Sequence, residues 1–325
     1  MTETSTGTIT AAPTEGEIHY PISIDNCGKG YTFTEIPKRV VVMNGGSVAE
    51  VSSLVALGVS DRIVANAQSY GASDVPGRAV AIDALPTGGI IPNSAQDIPR
   101  EAILAQRPDF VISDYTGGFS ADEGYATRKE LAAAGANTYV PRGYCGATGS
   151  VVGTPSIEDS YALLRDLGAI FDVQGRADKL IADSESKIAA TAAKVAGRPK
   201  KNVLLVFAGM DMGAGPDLPL IGATGIWNKI ISTAGAVNPF ERADGTAFVA
   251  ISSEQLAVTP VDALVIVNYR IPDIDSVAKR LLAKFPQWEA TKTGNYAVLS
   301  DSIYLGPSND LAVDKIARLV HPEQF

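Results

Sequence analysis

Short, mostly apolar runs alternate with amphipathic stretches along this chain. The runs are rich in β-branched residues and are bounded by turn-forming residues. They lie at residues 40–42, 62–65, 110–112, 138–140, 203–207, 263–267 and 297–299. Runs of this length and composition are typical of buried strands. Strands that alternate with helices predict parallel sheets covered on both faces, so we expect an α/β fold.

The stretches between these runs carry helix signals. After Ser47, apolar residues at helical spacing continue to Leu57 and stop at Gly58, and Ser47 and Glu50 have the spacing of a capping box. Residues 71–100 are rich in Pro and Gly and are predicted to be loop. Further helices are predicted at residues 101–106, 127–134, 226–233, 253–258, 274–284 and 310–319.

A local pattern occurs twice. Glu101 precedes Asp109 by eight residues, and Glu254 precedes Asp262 by eight residues. In both copies a proline lies just before the aspartate and a buried run follows it, ending near a tyrosine. The pattern has two interpretations: a common helix–turn–strand motif that recurs by chance, or two lobes of one architecture.

A long uninterrupted helix is predicted between the two copies. Residues 176–195 contain no Gly or Pro, and one stripe at helical spacing runs through them. About twenty residues of helix span about 30 Å. The segment is either a strut between two lobes or an ordinary surface helix of one lobe. We predict residues 18–172 as an N-terminal lobe, 173–198 as the connecting helix and 199–325 as a C-terminal lobe.

Composition narrows the class of protein. The chain has 325 residues, of which 46% are hydrophobic and 19% charged, which suggests about two folded domains. The net charge of -9 argues against nucleic acid and anionic membranes as partners, because both require basic patches. No apolar run is long enough to span a bilayer. Residues 1–17 are predicted to be a flexible tether, of an exported protein or of a cytoplasmic one.

The reactive residues are few. Cys27 and Cys145 each precede a glycine in turn-like sequence, which favours a disulfide over two free thiols. His19 and His321 lie near opposite ends of the chain, so no metal site built from clustered His and Cys is expected. No nucleophile elbow, zinc-protease signature or phosphate loop is present. We therefore expect a binding protein without catalytic residues.

Aromatic and basic side chains gather at the predicted strand exits, where parallel sheets bind ligands. Aromatic rings offer apolar contact with a polar tip, and arginine can bridge oxygens around a chelated ion. Each residue also has a plainer interpretation, as a partly buried structural aromatic or a solvated arginine. The predicted ligand-binding residues are Tyr70, Tyr115, Arg142, Tyr144, Trp227, Tyr269, Arg270 and Tyr304.

Several segments resemble a known family. Residues 25–28 (Asp-Asn-Cys-Gly) and 36–41 (Ile-Pro-Lys-Arg-Val-Val) resemble the opening of actinobacterial ferric-siderophore binding lipoproteins. Residues 100–112 and 253–266 resemble that family's docking segments, one in each lobe, and Tyr144-Cys145-Gly146 resembles its second half-cystine. From Tyr20 onward, the order of features is similar to the class III substrate-binding proteins of ABC importers for iron-siderophores, haem and cobalamin.

The resemblance implies two Rossmann-like lobes joined by a single long helix, with a ligand cleft between the lobes. It implies capture of a ferric siderophore and delivery to an ABC permease dimer, with Glu101 and Glu254 docking on the permease. The iron would arrive within the ligand, so no intrinsic cofactor is expected, and the protein is expected to be a monomer. It further implies an extracytoplasmic, lipid-anchored protein whose signal and lipobox are absent from this sequence.

The ligand stays open at this point. A hydroxamate is favoured, because a tri-anionic catecholate complex needs several convergent cations and the predicted rim shows mainly Arg142 and Arg270. Cobalamin or haem is the alternative within the class, with tyrosine as an axial ligand for haem. A two-lobed metal chelatase is the alternative enzyme. Many relatives have an arginine in the segment matching residues 305–309, where this chain has Ser308.

Overall fold

The structure is a computed structural model that describes residues 19–43, 48–69, 72–90, 97–146, 153–209, 220–269 and 271–325. It contains two sheets, one in each half of the chain, and a separate hairpin. We call the half that ends before residue 173 the N-lobe and the half that begins at residue 199 the C-lobe.

The N-lobe is built on a four-stranded, entirely parallel sheet. Its strands are β3 (Val40–Val42), β4 (Ile63–Asn66), β5 (Phe110–Ile112) and β6 (Asn137–Tyr139), in the order β4-β3-β5-β6. An antiparallel hairpin of β1 (Ile22–Asn26) and β2 (Lys29–Phe33) precedes the sheet and was not predicted. Asn26 joins the hairpin to the sheet, because its side chain bonds both the amide and the carbonyl of Val140 at 3.0 and 2.7 Å.

The described residues of the first half contain six α-helices. They are α1 (Ala49–Ala56), α2 (Arg78–Asp83), α3 (Arg100–Ala105), α4 (Arg128–Ala133), α5 (Ile157–Ile170) and α6 (Gln174–Val195). The prediction of loop throughout residues 71–100 was wrong, because α2 lies within it. Helix α2 has six residues and buries only Ile82, so it carries too little apolar periodicity to be recognised.

The C-lobe sheet is mixed, whereas the alternation of elements predicted a parallel one. Strands β7 (Lys201–Ala208), β11 (Ala263–Asn268) and β12 (Tyr296–Leu299) are parallel, and β9 (Ala236–Val237) pairs with the start of β7. Strand β8 (Leu220–Gly222) pairs antiparallel with β7, and β10 (Phe248–Val249) pairs antiparallel with β8, so that β10 forms the edge opposite β12. The helices are α7 (Ile226–Thr233), α8 (Ser253–Val258), α9 (Ile274–Ala283), α10 (Glu289–Thr293) and α11 (Asn309–Val320).

The repeated sequence pattern corresponds to a repeated structure. Asp109 accepts hydrogen bonds from the backbone amides of Lys38 and Arg39, at the start of β3, at 2.8 and 2.9 Å. Asp262 accepts one from the amide of Asn202 in β7, at 2.7 Å. In each lobe the aspartate therefore ties the turn before one central strand to the beginning of its parallel neighbour.

Helix α6 contacts both halves of the chain. Its 22 residues span about 33 Å, and it packs against α5 on one side and α11 on the other. A helix that belonged to the N-lobe alone would not contact α11, and one that belonged to the C-lobe alone would not contact α5. The packing of α6 therefore favours a strut between lobes over a surface helix of one lobe. The domain boundaries given above stay a prediction.

A single apolar core runs across the junction of the lobes. It includes Val42 and Phe110 from the N-lobe sheet and Leu205 and Phe207 from the C-lobe sheet. A smaller core lies on the outer face of each sheet. A junction filled with close-packed apolar side chains resists large relative movement of the lobes. Among the described residues, no helix has the length and apolar character needed to cross a membrane.

Candidate ligand-binding site

Two of the predicted tyrosines of the N-lobe lie close to the same acid, Asp114. Tyr115 follows β5 directly, is half-buried, and has its pKa raised by burial and then by Asp114. Tyr144 ends the short 3-10 turn Arg142–Tyr144 after β6, and its pKa is raised by burial and then by Glu50 and Asp114. Both rings are therefore neutral hydroxyl groups that can donate a hydrogen bond.

The buried acid Glu50, which lies near Tyr144, was not predicted as a site residue. Glu50 lies in the first turn of α1, is 2% exposed, and accepts a hydrogen bond from Gln68 Nε2 at 2.9 Å. Gln68 in turn accepts from the amide of Val51 at 3.1 Å. Burial and the neighbouring Asp114 raise the pKa of Glu50 to about 8. The sequence analysis considered Glu50 only as a capping partner of Ser47. Ser47 lies outside the described residues.

The electrostatic surroundings of the two tyrosines are acidic. The charged groups that shift the pKa of Tyr144 are Glu50, Asp114 and Asp159. Those that shift Tyr115 are Asp114, Asp97 and Glu123, together with the phenol of Tyr125. None of them is a cation. Because Glu50 keeps its proton below about pH 8, the negative potential that the described residues create at Tyr144 comes from Asp114 and Asp159.

Arg142 is already paired. Its guanidinium donates to both oxygens of Asp166, at 2.9 and 2.8 Å, and Tyr139 donates to the same carboxylate at 2.7 Å. The Asp166 side chain is 10% exposed and that of Arg142 is 47% exposed. The hydrogen bonds to Asp166 raise the pKa of Arg142, so the guanidinium stays charged. The positive charge predicted to meet an anionic ligand is thus largely compensated by the protein.

Two of the predicted C-lobe aromatics lie inside the lobe. Trp227 is 2% exposed and Tyr304 is 7% exposed; both pack with Phe207, and Trp227 also packs with Phe248. Ring centroids of Trp227 and Tyr304 are 6.3 Å apart. The amphipathic α7 turns Trp227 inward, because its ring is the largest apolar group on the buried face. In this structure Trp227 is a core residue, whereas the sequence analysis predicted that it contacts the ligand.

Of the remaining predicted residues, only Tyr269 is described by the structure. Tyr269, after β11, is half-buried and packs against the central core. Tyr70 and Arg270 lie outside the described residues. The atoms Trp227 Nε1 and Tyr304 Oη are buried and have no hydrogen-bond partner in the described part of the chain.

The segment after Tyr304 inserts into the N-lobe. A methyl group added at Gly306 would lie 3.1 Å from Cβ of Ala49, and one added at Gly143 would lie 3.1 Å from Cδ1 of Leu305. The amide of Gly306 donates to Ser160 Oγ at 3.2 Å. Ser308 is 5% exposed. Ser308, in the segment where the resemblance led us to expect an arginine, is therefore buried here.

The disulfide is present as predicted. Cys27 lies in the turn of the β1–β2 hairpin and Cys145 follows Tyr144, and their Cα atoms are 5.2 Å apart. The bond therefore anchors the turn that carries Tyr144. Among the described residues, no three His, Cys, Asp or Glu side chains gather closely enough to hold a metal ion.

Glu101 and Glu254 occupy equivalent surface positions. Each lies in the first turn of a six-residue helix, α3 or α8, and each is exposed. Glu101 bonds Arg100 at 2.5 Å, whereas Glu254 has no salt bridge within the described ranges. Both carboxylates are on the surface, and neither is among the charged groups that shift the pKa of Tyr115 or Tyr144.

Two lobes joined by one long helix, with ligand-type side chains at strand ends, define a solute-binding protein, not an enzyme. The family model for periplasmic binding protein matches residues 41–302. The chain belongs to this family, whose members are extracytoplasmic and deliver their ligands to ABC permeases. The chelatase alternative is therefore wrong. No curated protein sequence matched the chain.

Solved structures share this fold at low identity. A periplasmic binding protein from Veillonella parvula is 19% identical, with a TM-score of 0.72, over 93% of this chain and 97% of that one. A protein of an ABC-type Fe3+-hydroxamate transport system from Saccharomonospora viridis is 23% identical, with a TM-score of 0.71, over 93% and 100%. A periplasmic heme-binding protein from Pseudomonas aeruginosa is 23% identical, with a TM-score of 0.64, over 88% and 94%.

Proposed function

We propose that this protein captures a ferric siderophore of the hydroxamate type and delivers it to an ABC permease dimer. The observation that carries the proposal is the acidic surrounding of Tyr115 and Tyr144, together with the pairing of Arg142 by Asp166. A ferric trihydroxamate is neutral, because three hydroxamates balance the charge of the ion, and its derivatives with a free amine are cationic. Such a ligand is compatible with a negative potential.

The same electrostatics disfavour the alternatives. A ferric tris-catecholate carries three negative charges, and burying it beside the carboxylates of Asp114 and Asp159 would be costly. The two carboxylates of haem meet the same difficulty. The neutral tyrosine hydroxyls can instead donate hydrogen bonds to the oxygens of a hydroxamate while their rings contact its apolar chain.

Delivery is proposed to use Glu101 and Glu254, one from each lobe. Both carboxylates are exposed, so they are accessible to a partner. The monomeric state and the lipid anchor remain parts of this proposal. The iron is cargo held by the siderophore, and the proposal assigns no metal ligand to the protein.

A charge series of ligands tests the proposal. We would titrate the protein, with tryptophan fluorescence as readout, using a linear ferric trihydroxamate with a terminal ammonium, its acetylated neutral form and its succinylated anionic form. The three are matched in size and chelate geometry. We expect the cationic and neutral complexes to bind at least about tenfold more tightly than the anionic one, because only the anionic complex is repelled by the carboxylates near Tyr144.

Ferric tris-catecholate, haem and cobalamin complete the panel. Tighter binding of catecholate or haem than of every trihydroxamate would overturn the hydroxamate assignment and leave the family membership intact. Absence of binding by every chelate below micromolar concentration would overturn the siderophore proposal as a whole.

A further inference from the structure

A cation without a carboxylate partner lies against the disulfide. Arg128 Nη2 is 4.0 Å from Cys27 Sγ. The same guanidinium donates to Asn26 Oδ1 at 2.8 Å and to Tyr31 Oη at 3.2 Å, and both of these acceptors are neutral. Arg128 Nε is buried and has no hydrogen-bond partner in the described part of the chain. The disulfide sulfur therefore faces a positive charge that no carboxylate among these contacts compensates.

The packing around Arg128 partly buries this charge without neutralising it. Its guanidinium carbon lies 5.2 Å from the ring centroid of Phe119 and 5.6 Å from that of Tyr31. Burial lowers the pKa of Arg128, and the group that opposes this shift is the phenol of Tyr31, not an acid. Burying an unpaired charge costs free energy unless an anion forms beside it. The adjacent atom that can become an anion is Cys27 Sγ, as a thiolate after reduction of the disulfide.

The disulfide also controls the position of Tyr144. The turn Arg142–Tyr144 is held at its start by the ion pair of Arg142 with Asp166, and at its end by the bond from Cys145 to Cys27. Cys27 packs against the apolar core on the outer face of the N-lobe sheet. Reduction would remove the second anchor and leave the first. Tyr144 would then lose its fixed position while the ion pair keeps the turn in the folded protein.

We propose that the bond between Cys27 and Cys145 is a redox-reactive site whose substrate is a dithiol, and that Arg128 activates Cys27 as the leaving thiolate. Both cysteines are partly exposed, so a dithiol can reach them. Reduction of the bond acts as a switch, because it releases the turn of Tyr144 and lowers the affinity for the ligand. Only the switch rests on the proposed function, since the reactivity of the disulfide is independent of what the protein binds.

The reaction is a thiol–disulfide exchange in two steps. A thiolate of the dithiol attacks Cys145 Sγ, the bond between the two protein sulfurs breaks, and its electron pair leaves on Cys27 as a thiolate beside Arg128. The second thiol of the reductant loses its proton, attacks the mixed disulfide and displaces Cys145, which takes up a proton. The other proton of the dithiol passes to solvent. The protein gains two electrons and the dithiol is oxidised to a disulfide. A nearby cation lowers the pKa of the leaving thiol and thereby speeds the first step.

Reduction kinetics test the role of Arg128. Wild type, Arg128→Gln, Arg128→Lys and the surface control Arg165→Gln are treated with excess dithiothreitol at one pH, and free thiols are counted with time while circular dichroism monitors the fold. We expect Arg128→Gln to be reduced at least about fivefold more slowly than wild type. Arg165→Gln should stay within about twofold of wild type, and Arg128→Lys, which keeps the charge, should be reduced faster than Arg128→Gln.

The direction of the change separates activation from destabilisation. A variant that merely loosens the structure exposes the bond and is reduced faster, whereas loss of an activating cation makes reduction slower. Equal or faster reduction of Arg128→Gln would therefore overturn the inference.

The acidity of Cys27 gives a second measurement. In Cys145→Ser, the remaining Cys27 thiol is alkylated with iodoacetamide at a series of pH values. We expect the rate to have its midpoint at least about one pH unit below the ordinary thiol pKa of about 8.5, and Arg128→Gln in the same background to restore the ordinary value. A midpoint at or above about 8.5 with Arg128 present would contradict activation. The kinetics of the intact disulfide decide the question if Cys145→Ser does not fold.

Ligand affinity tests the switch. The oxidised protein and the reduced protein, freed of reductant, are titrated by calorimetry with a trihydroxamate complex of gallium(III), which has the charge of ferric iron and is not reduced by thiols. We expect the reduced protein to bind at least about tenfold more weakly, because Tyr144 is no longer fixed. In Tyr144→Ala the oxidised and reduced forms should bind equally, because the residue that the disulfide positions is gone.

Failure of the switch is distinguishable from failure of the proposed function. If the oxidised protein binds no trihydroxamate, the proposed ligand is wrong, and the kinetics still decide whether the disulfide is reactive. If the oxidised protein binds the complex and the reduced, folded protein binds it equally well, only the switch fails.

Discussion

Asp74 and Asp301 clasp the two lobes by a reciprocal exchange of hydrogen bonds. The amide of Asp74 donates to Asp301 Oδ1 at 2.9 Å, and Asp74 Oδ2 accepts from the amide of Ser300 at 2.7 Å. Asp301 also accepts from the hydroxyls of Ser52 and Ser73, both at 2.9 Å. The clasp joins the N-lobe segment before α2 to the turn after β12, beside the central apolar core.

Removing one half of this clasp should destabilise the whole protein. Asp301 is 3% exposed, so Asp301→Asn keeps one oxygen for the Asp74 amide but places an NH2 group against the hydroxyls of Ser52 and Ser73, which lose their acceptor. We expect the free energy of unfolding to fall by about 2–4 kcal/mol in urea denaturation. Asp122→Asn, at an exposed position, is the control and should change it by less than about 0.5 kcal/mol. Equal stability of both variants would show that the clasp contributes nothing.

The buried Glu50 predicts a pH dependence of stability. The folded-state pKa of about 8 lies above the ordinary value of 4.5, so the folded protein retains a proton that the unfolded chain has released. The contribution of this group to the free energy of unfolding therefore falls as pH rises from about 4.5 to about 8.

Glu50→Gln removes this titration while keeping the hydrogen bond geometry of the protonated acid. We expect the variant to exceed wild type in the free energy of unfolding by more than about 1 kcal/mol at alkaline pH, with a smaller difference at pH near 5. Urea unfolding at several pH values measures this, with Glu158→Gln at an exposed ion pair as the control. Parallel pH profiles of wild type and Glu50→Gln would contradict it.

Arg142 is expected to matter for stability more than for ligand affinity. In Arg142→Gln, the nearly buried carboxylate of Asp166 loses both charged hydrogen bonds, which should cost about 1–3 kcal/mol in the free energy of unfolding. Affinity for a neutral trihydroxamate should change less than about threefold, because the charge was already compensated. Arg165→Gln, which breaks an exposed pair with Glu158, is the control. A large loss of affinity at unchanged stability would show that Arg142 contacts the ligand.

The disulfide predicts a loss of stability on removal. It joins residues separated by 118 positions, and the chain-entropy model gives about 4–5 kcal/mol for closing so long a loop. The double variant Cys27→Ser, Cys145→Ser should unfold at correspondingly lower urea concentration than wild type. Labelling of the native protein with a thiol reagent should find no free thiol. Two reactive thiols in the native protein would contradict the bond.

Most helices and central strands were predictable because their apolar residues recur at regular spacing. Strands β3, β5, β7 and β11 and helices α6, α8 and α9 lie within a few residues of the predicted positions. The hairpin β1–β2 and the short α2 were missed, because their burial depends on contacts with distant elements and leaves little periodicity in the chain. The antiparallel edge of the C-lobe sheet was missed for the same reason, since β8 and β10 have three and two residues.

The site was predicted in part. Strand order places Tyr115, Tyr144 and Tyr269 at strand exits, and a turn-like Cys-Gly pair suggested the disulfide that anchors Tyr144. Sequence alone did not show that Trp227 points into the core, that Arg142 is held by Asp166 or that Glu50 is buried. Each of these depends on a neighbour many residues away.

The sequence by itself determined the α/β class, the twofold Glu-to-Asp pattern and the long helix between the copies, because these follow from local spacing of apolar residues and turn signals. Only the tertiary structure decided which charged groups surround Tyr115 and Tyr144. Charge at a site is the sum of groups brought together from separate segments. The negative potential at Tyr144 arises from Asp114 and Asp159, which meet only when the turn after β5 and helix α5 pack around it, whereas Glu50 keeps its proton below about pH 8.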